Sequence, residues 1–227
     1  MQLVEDAEKI NQLNEKLRVV GSLTRHDIRN KLTALNGQVY LLKKKTKQVP
    51  DAEVHLKEIE LVCRQIVELL EFAHIYQKLG AEQLKRVDVE KTVNDAIALF
   101  SNINGVKITN QCSGLIVCAD SLLRQLFYNL IDNSIRHGQR TTKICIRYED
   151  DGSQVKLIYE DDGAGIPANL KNSLFDEKTS RGANHGLYVV RRICEAYKWN
   201  VKEVGEAGLG VKFLINIPNS CSKLSPL

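Results

Sequence analysis

The sequence predicts an α+β protein of two domains. Residues 1–80 form an antiparallel helical hairpin that pairs with a second copy as a four-helix bundle, and residues 81–227 form a layered α/β domain. Three observations predict this. Residues 5–45 hold no proline and place apolar side chains at helical spacing. A second helical pattern follows Pro50, and beyond Gly80 the apolar pieces become short and alternate between helical and extended character.

The chain of 227 residues is long enough for two modest cores. Its 43% apolar and 26% charged content is that of a soluble globular protein. A net charge of +4, from 32 basic and 28 acidic residues, is too balanced to argue for nucleic acid, and no basic face with interleaved aromatics is present. No apolar run approaches the roughly 20 residues that span a bilayer, and no leader pattern opens the chain. The expectation is a cytoplasmic location with no direct membrane insertion, either as a short protein or as the cytoplasmic part of a longer one. The six cysteines form no C-x-x-C pair and read as reduced thiols, mostly buried.

In the first helix the seam runs Ile10, Leu13, Leu17, Val20 and resumes as Ile28, Leu32, Leu35, Val39, Leu42. Steps of three and four alternate at both ends, as in a coiled coil. Between Leu17 and Leu32 the steps run three, four, four, four, a local departure from the heptad. The second helix carries Val54, Ile59, Val62, Ile66, Leu69, Ala73 and Tyr76. One hairpin cannot cover both stripes, so the expectation is a homodimer. In the second domain, Lys91–Phe100, Asp120–His137 and Asn184–Trp199 read as helices. Thr141–Tyr148, Gln154–Glu160 and Gly210–Ile217 read as strands of a mixed sheet with helices on one face. The last nine residues read as a loose tail.

Two clusters carry chemistry. In T-R-H-D-I-R-N (Thr24–Asn30), His26 lies about 200° around the helix from Thr24 and Ile28, away from the seam. A neutral imidazole is a competent nucleophile near pH 7. Asp27 can hold the ring's other N–H, and Asn30, one turn on, can orient a water or a phosphoryl group. Further along, Asn129 and Asn133 share one helix face, and Arg136 follows one turn later. Strand Gln154–Glu160 runs into D-D-G-A-G-I-P, where a carboxylate at the strand end can accept from an exocyclic amine. Gly163 and Gly165 let backbone approach a flat ligand. R-G-A-N-H-G-L (Arg181–Leu187) reads as a glycine-bearing loop opening a helix, a phosphate-attracting terminus, and L-F-D-E-K-T-S before it reads as a lid. His137 and His185 flank this presumed pocket.

Over nearly the whole chain these residues resemble the sensor histidine kinases of two-component signalling. T-R-H-D-I-R-N is similar to the phosphoacceptor segment. N-L-I-D-N, D-D-G-A-G-I-P, L-F-D-E-K and R-G-A-N-H-G-L are similar to the four nucleotide boxes, in order. The resemblance implies a Bergerat-type α/β sandwich that binds ATP and Mg2+. It implies a protein histidine kinase, autophosphorylated on His26 with Asp27 as acidic helper, that passes the group to an aspartate of a response-regulator receiver domain. Asn30 matches the position linked to dephosphorylating that partner. Asn133 matches the metal ligand, Asn129 a phosphate- or metal-proximal amide, Arg136 a phosphate contact and Asp161 the adenine-reading carboxylate. His137, Gly163, Gly165, Ile166, Lys178, Gly182, Gly186 and Leu187 complete the implied nucleotide site.

There are three departures from the family pattern. No proline follows the histidine segment, Asn184 replaces a lid glycine, and Asp162 stands where asparagine is common, adding charge near the base pocket. Two rivals stay open on the sequence: a serine/threonine kinase of the same ATPase superfamily, and a non-catalytic dimeric phosphotransfer scaffold.

Overall fold

The computed structural model describes residues 2–45, 50–100, 105–171, 173–175, 185–218 and 222–224. The chain divides into two compact units, Met1–Gln77 and Lys78–Leu227.

The first unit is two long helices, α1 (Gln2–Lys45) and α2 (Pro50–Lys78). Pro50 opens α2, where its missing N–H leaves no helical bond unmade. Two contacts fix the helices as antiparallel. Arg25 Nη1 donates to Gln77 Oε1, and Lys43 Nζ sits 2.6 Å from Glu60 Oε2, so the middle of α1 meets the C-terminal end of α2 and its C-terminal end meets the earlier part of α2. Gly21 makes the notch for Gln77, since a Cβ there would overlap the glutamine amide.

Leu32, Val39, Leu56, Cys63 and Ile75 are buried inside the hairpin. Leu35, Leu42, Val54 and Val62 remain 44 to 56% exposed. Val54, Ile59 and Val62, the first members of the expected α2 stripe, are therefore not what packs inside the hairpin. Leu56, Cys63 and Ile75 take that place, because α2 carries apolar residues on two faces. Ile10, Leu13, Leu17 and Val20 lie outside the described side chains. No described helix is long and apolar enough to cross a membrane.

The second unit opens with β1 (Lys85–Asp88) and α3 (Val89–Ile97). Asp88 caps α3 by accepting from Lys91 N at 3.0 Å. β2 (Lys107–Gln111) and β3 (Leu115–Ala119) follow, then α4 (Leu122–His137). The start of α4 is held by buried Asp120, whose Oδ1 accepts from Leu122 N at 2.8 Å and from the Tyr197 hydroxyl. The rest is β4 (Lys143–Asp150), β5 (Gln154–Asp161), the short α5 (Ala168–Lys171), α6 (His185–Ala196), β6 (Asn200–Glu203), β7 (Lys212–Pro218) and β8 (Ser222–Leu224).

Five strands make a mixed sheet in the order β2-β4-β5-β7-β6, with β2 parallel to β4 and every other pair antiparallel. One face is apolar. Leu157 lies opposite Ile215 and Tyr159 opposite Phe213, all buried, and the Tyr159 hydroxyl lies 3.0 Å from the Leu130 carbonyl of α4. The other face carries Arg147, Lys156, Glu160 and Lys212, tied in surface ion pairs. A smaller antiparallel sheet, β1-β3-β8, corrects one expectation: Ser222–Leu224 of the presumed loose tail pairs with β3, with Leu224 opposite Leu115.

Candidate functional site

Two periodicities meet in the second unit. On α4, Leu123, Phe127, Leu130 and Ser134 recur at spacings of four, three and four and are all buried. On β5, Val155, Leu157 and Tyr159 alternate into the same core, and Asp161 takes the next place in that row. The rows converge where the Ser134 hydroxyl donates to Asp161 Oδ2. Asp161 Oδ1 accepts two backbone N–H groups, from Gly163 at 2.9 Å and from Val211 at 3.0 Å. Behind Ser134 lies the buried Tyr159 hydroxyl, 2.7 Å from its Oγ.

The Asp161 carboxylate opens onto a cavity of about 180 Å³. Asn133, His137, Asp161, Gly165, Ile166 and Leu187, all expected in the site, line it together. Pro167 and Leu174, which end and begin two of the motifs without being singled out, line it too, and the sequence reading missed Ser134, Gly138, Leu170 and Val211. Ser134 carried a usable signal, a hydroxyl on the otherwise apolar stripe of α4. The glycines make close backbone approach possible. Gly165 has φ +69°, and a Cβ there would press on the Glu206 and Gly210 carbonyls. Gly210, at φ +105°, packs on the Asp161 carbonyl. The loop of residues 205–210, unread in the sequence, is thus the floor under the D-D-G-A-G segment.

Asn129 lies one turn before Asn133 on α4 and is 9% exposed. Its Oδ1 accepts from Gln125 at 3.1 Å, while its Nδ2 is buried with no hydrogen-bond partner among the described residues. A Cβ added at Gly186, in the first turn of α6, would meet the Asn129 side chain at ordinary contact distance, so the start of that helix lies near Asn129. A buried amide needs partners, and this one is placed to take a polar ligand. Gly163 does not line the cavity itself; it stands beside Gly138 and Thr141. Arg136 is exposed and pairs with Asp132 at 2.8 Å, directed along α4. Lys178, Gly182 and Asn184 lie outside the described residues.

Asp162 does not line the cavity. Its Oδ1 accepts from Thr142 N at 2.7 Å and Lys143 N at 2.8 Å, and Oδ2 accepts from the Thr142 hydroxyl. Burial alone would raise its pKa, but these hydrogen bonds outweigh it and hold the carboxyl at about 2. The charge expected near the base is spent on the start of β4.

In the first unit, His26 and Asp27 are 72% and 75% exposed. Nδ1 of His26 is 3.3 Å from Asn30 Nδ2 and 3.6 Å from Asp27 Oδ1. Both neighbours face Nδ1, which leaves Nε2 as the outward nitrogen.

Residues 119–220 match the family described as Histidine kinase-, DNA gyrase B-, and HSP90-like ATPase. Across 90% of its length the chain is 28% identical to the signal transduction histidine-protein kinase AtoS of Escherichia coli. Across 96% it is 27% identical to sporulation kinase C of Bacillus subtilis. It covers only 36% and 53% of those two relatives. Full-length ShkA, solved in complex with AMPPNP, superposes with a TM-score of 0.64 at 23% identity, over 91% of this chain and 47% of that one. The resemblance to sensor histidine kinases carried by the motifs is borne out, and the match to the ATPase family falls within the second unit.

Proposed function

We propose that this chain, a relative of the sensor histidine kinases, is an ATP-dependent kinase core that autophosphorylates on His26. It then passes the phosphoryl group to an aspartate of a response-regulator receiver domain. It works as a homodimer in the cytoplasm, and Asn30 also serves the reverse duty, dephosphorylating that partner. The observation that carries this reading is the meeting of α4 and β5. A carboxylate, hydrogen-bonded on three sides, faces a cavity lined by Asn133 and by Leu187 of α6, with Asn129 one turn before Asn133 on α4.

In this reading Asp161 accepts from the adenine amine, Gly165 lets backbone lie against the base, and Gly163 holds Asp161 through its N–H. Ile166, Leu174 and Leu187 supply apolar walls. Asn129 Nδ2, a buried donor in want of an acceptor, suits a phosphate oxygen. Asn133 would offer its amide oxygen to Mg2+. When bound, that ion neutralises charge on the β- and γ-phosphates. His137, Arg136, Lys178, Gly182 and Gly186 complete the rim as the motifs imply.

His26 Nε2 then attacks the γ-phosphorus with its lone pair. The N–P bond forms as the bond to the β-phosphate oxygen breaks, ADP leaves, and Asp27 takes up the Nδ1 proton. In the second transfer a receiver aspartate oxygen displaces the imidazole. Catalysis is positioning and charge neutralisation.

Incubation with labelled ATP tests the reading. The expected product is acid-labile, base-stable phosphate on the chain, absent in His26→Gln and chased off by a receiver domain. Label that persists in His26→Gln removes His26 from its role, and acid-stable label on a partner hydroxyl favours a serine/threonine kinase instead.

A further inference from the structure

We infer that Ser134 is a positioning residue for the nucleotide base, limiting Asp161 to a single open acceptor direction. The inference rests on the ATP reading above and goes beyond it, because no motif singles out Ser134. A carboxylate has about four acceptor directions. Gly163 N and Val211 N fill the two on Oδ1, at 2.9 and 3.0 Å. The Ser134 hydroxyl fills one on Oδ2. One direction is left, and Asp161 and Ser134 both line the cavity.

The direction of the serine proton is set by its neighbours. A carboxylate only accepts, so Ser134 must give its proton to Asp161. Its own oxygen is then an acceptor, and the Tyr159 hydroxyl stands 2.7 Å away, closer than the 3.0 Å from Tyr159 to the Leu130 carbonyl. Burial pushes the Tyr159 phenol well above its ordinary range, so it keeps its proton as a donor. Ser134 and Tyr159 are each 1% exposed, so water does not compete for these positions.

A base edge that presents one exocyclic amine can satisfy such a site. A base needing a two-pronged contact cannot, because Oδ1 is already saturated. Removing the serine hydroxyl would open a second direction on Oδ2 to water, which would then compete with the amine.

The test is calorimetric titration of the full chain with Mg-ATP and with the Mg-triphosphate of purine riboside, which lacks the exocyclic amine. The intact chain is expected to prefer ATP roughly tenfold or more, the worth of a hydrogen bond to a charged group. Ser134→Ala should weaken ATP about five- to tenfold and leave the amine-free nucleotide unchanged. Ser134→Thr should restore the preference. Tyr159→Phe, which keeps the serine but removes its fixed donor, should fall between. Equal weakening of both nucleotides in Ser134→Ala means a merely structural serine and overturns the inference, as does no change at all. An intact chain that binds neither nucleotide overturns the ATP reading and the inference together.

Discussion

At His26, the nitrogen that matters is set by what faces the other one. Asn30 Nδ2 lies 3.3 Å from Nδ1, and an amide nitrogen can only donate, so this arrangement needs a lone pair on Nδ1 and puts the ring proton on Nε2. That tautomer has no nucleophile on its outward side. With the amide turned over, Asn30 Oδ1 would accept from an Nδ1 proton and free the Nε2 lone pair. Asp27, 3.6 Å from Nδ1, favours the same productive form, since a carboxylate cannot donate. In the proposed kinase, then, Asp27 promotes autophosphorylation and Asn30 permits either tautomer. Asn30→Asp, an acceptor at the same place, is expected to match or exceed the intact chain in initial rate of acid-labile phosphate formation. Asp27→Asn should fall by about a hundredfold or more, the usual scale of lost acid–base assistance. If Asn30→Asp labels tenfold more slowly, the tautomer argument is wrong.

Between elements, the contact with most at stake is Lys171 with Glu203. Lys171 closes α5, whose Leu170 lines the cavity, and its Nζ sits 2.7 Å from Glu203 Oε2 while donating to the Gly205 carbonyl. The Glu203 side chain is 1% exposed, and its Oε1 accepts from Gly205 N at 2.9 Å and Lys212 N at 3.2 Å. One charge pair thus ties α5 to the glycine loop that floors the site. Lys171→Met would leave a buried carboxylate without its cation, at a cost of about 3 kcal/mol. Denaturant titration of the full chain should show this as a lowered midpoint, with Lys171→Met/Glu203→Gln recovering a good part. A double variant no better than the single one would show that the charge pair is not the cause.

None of this pair was legible in the sequence, because a lysine and a glutamate 32 positions apart carry no local signal of meeting. What was legible followed strong periodicity. β5 alternates cleanly and delivers Asp161, and the apolar stripe of α4 places Asn129 and Asn133. Among the unread strands, β3 (L-I-V-C-A) is apolar but only five residues long, β8 lies in the tail, and three others are short and polar: K-R-V-D in β1, K-I-T-N-Q in β2 and N-V-K-E in β6. These three are edge strands, held by ladder hydrogen bonds to a neighbour rather than by a row of buried side chains, and a ladder leaves no pattern in composition.

For the whole molecule, the hairpin raises a question of surface. Leu35 and Leu42 on α1, with Val54, Ile59, Leu61 and Val62 on α2, are 40 to 56% exposed, although Leu32, Val39, Leu56, Cys63 and Ile75 already fill the space between the helices. A second apolar face on both helices of a hairpin is more than scattered surface hydrophobicity, and antiparallel pairs of this kind bury it by packing on another pair. A second copy brings the same stripes in a self-complementary arrangement. This is the physical ground for the proposed homodimer. Light scattering at micromolar concentration should therefore give twice the chain mass. Leu35→Glu/Val62→Glu places two charges where the apolar faces would meet, without touching the buried set, and should give the chain mass with helical content retained. An intact chain already monomeric under those conditions would mean that the apolar face is covered by something other than a second copy.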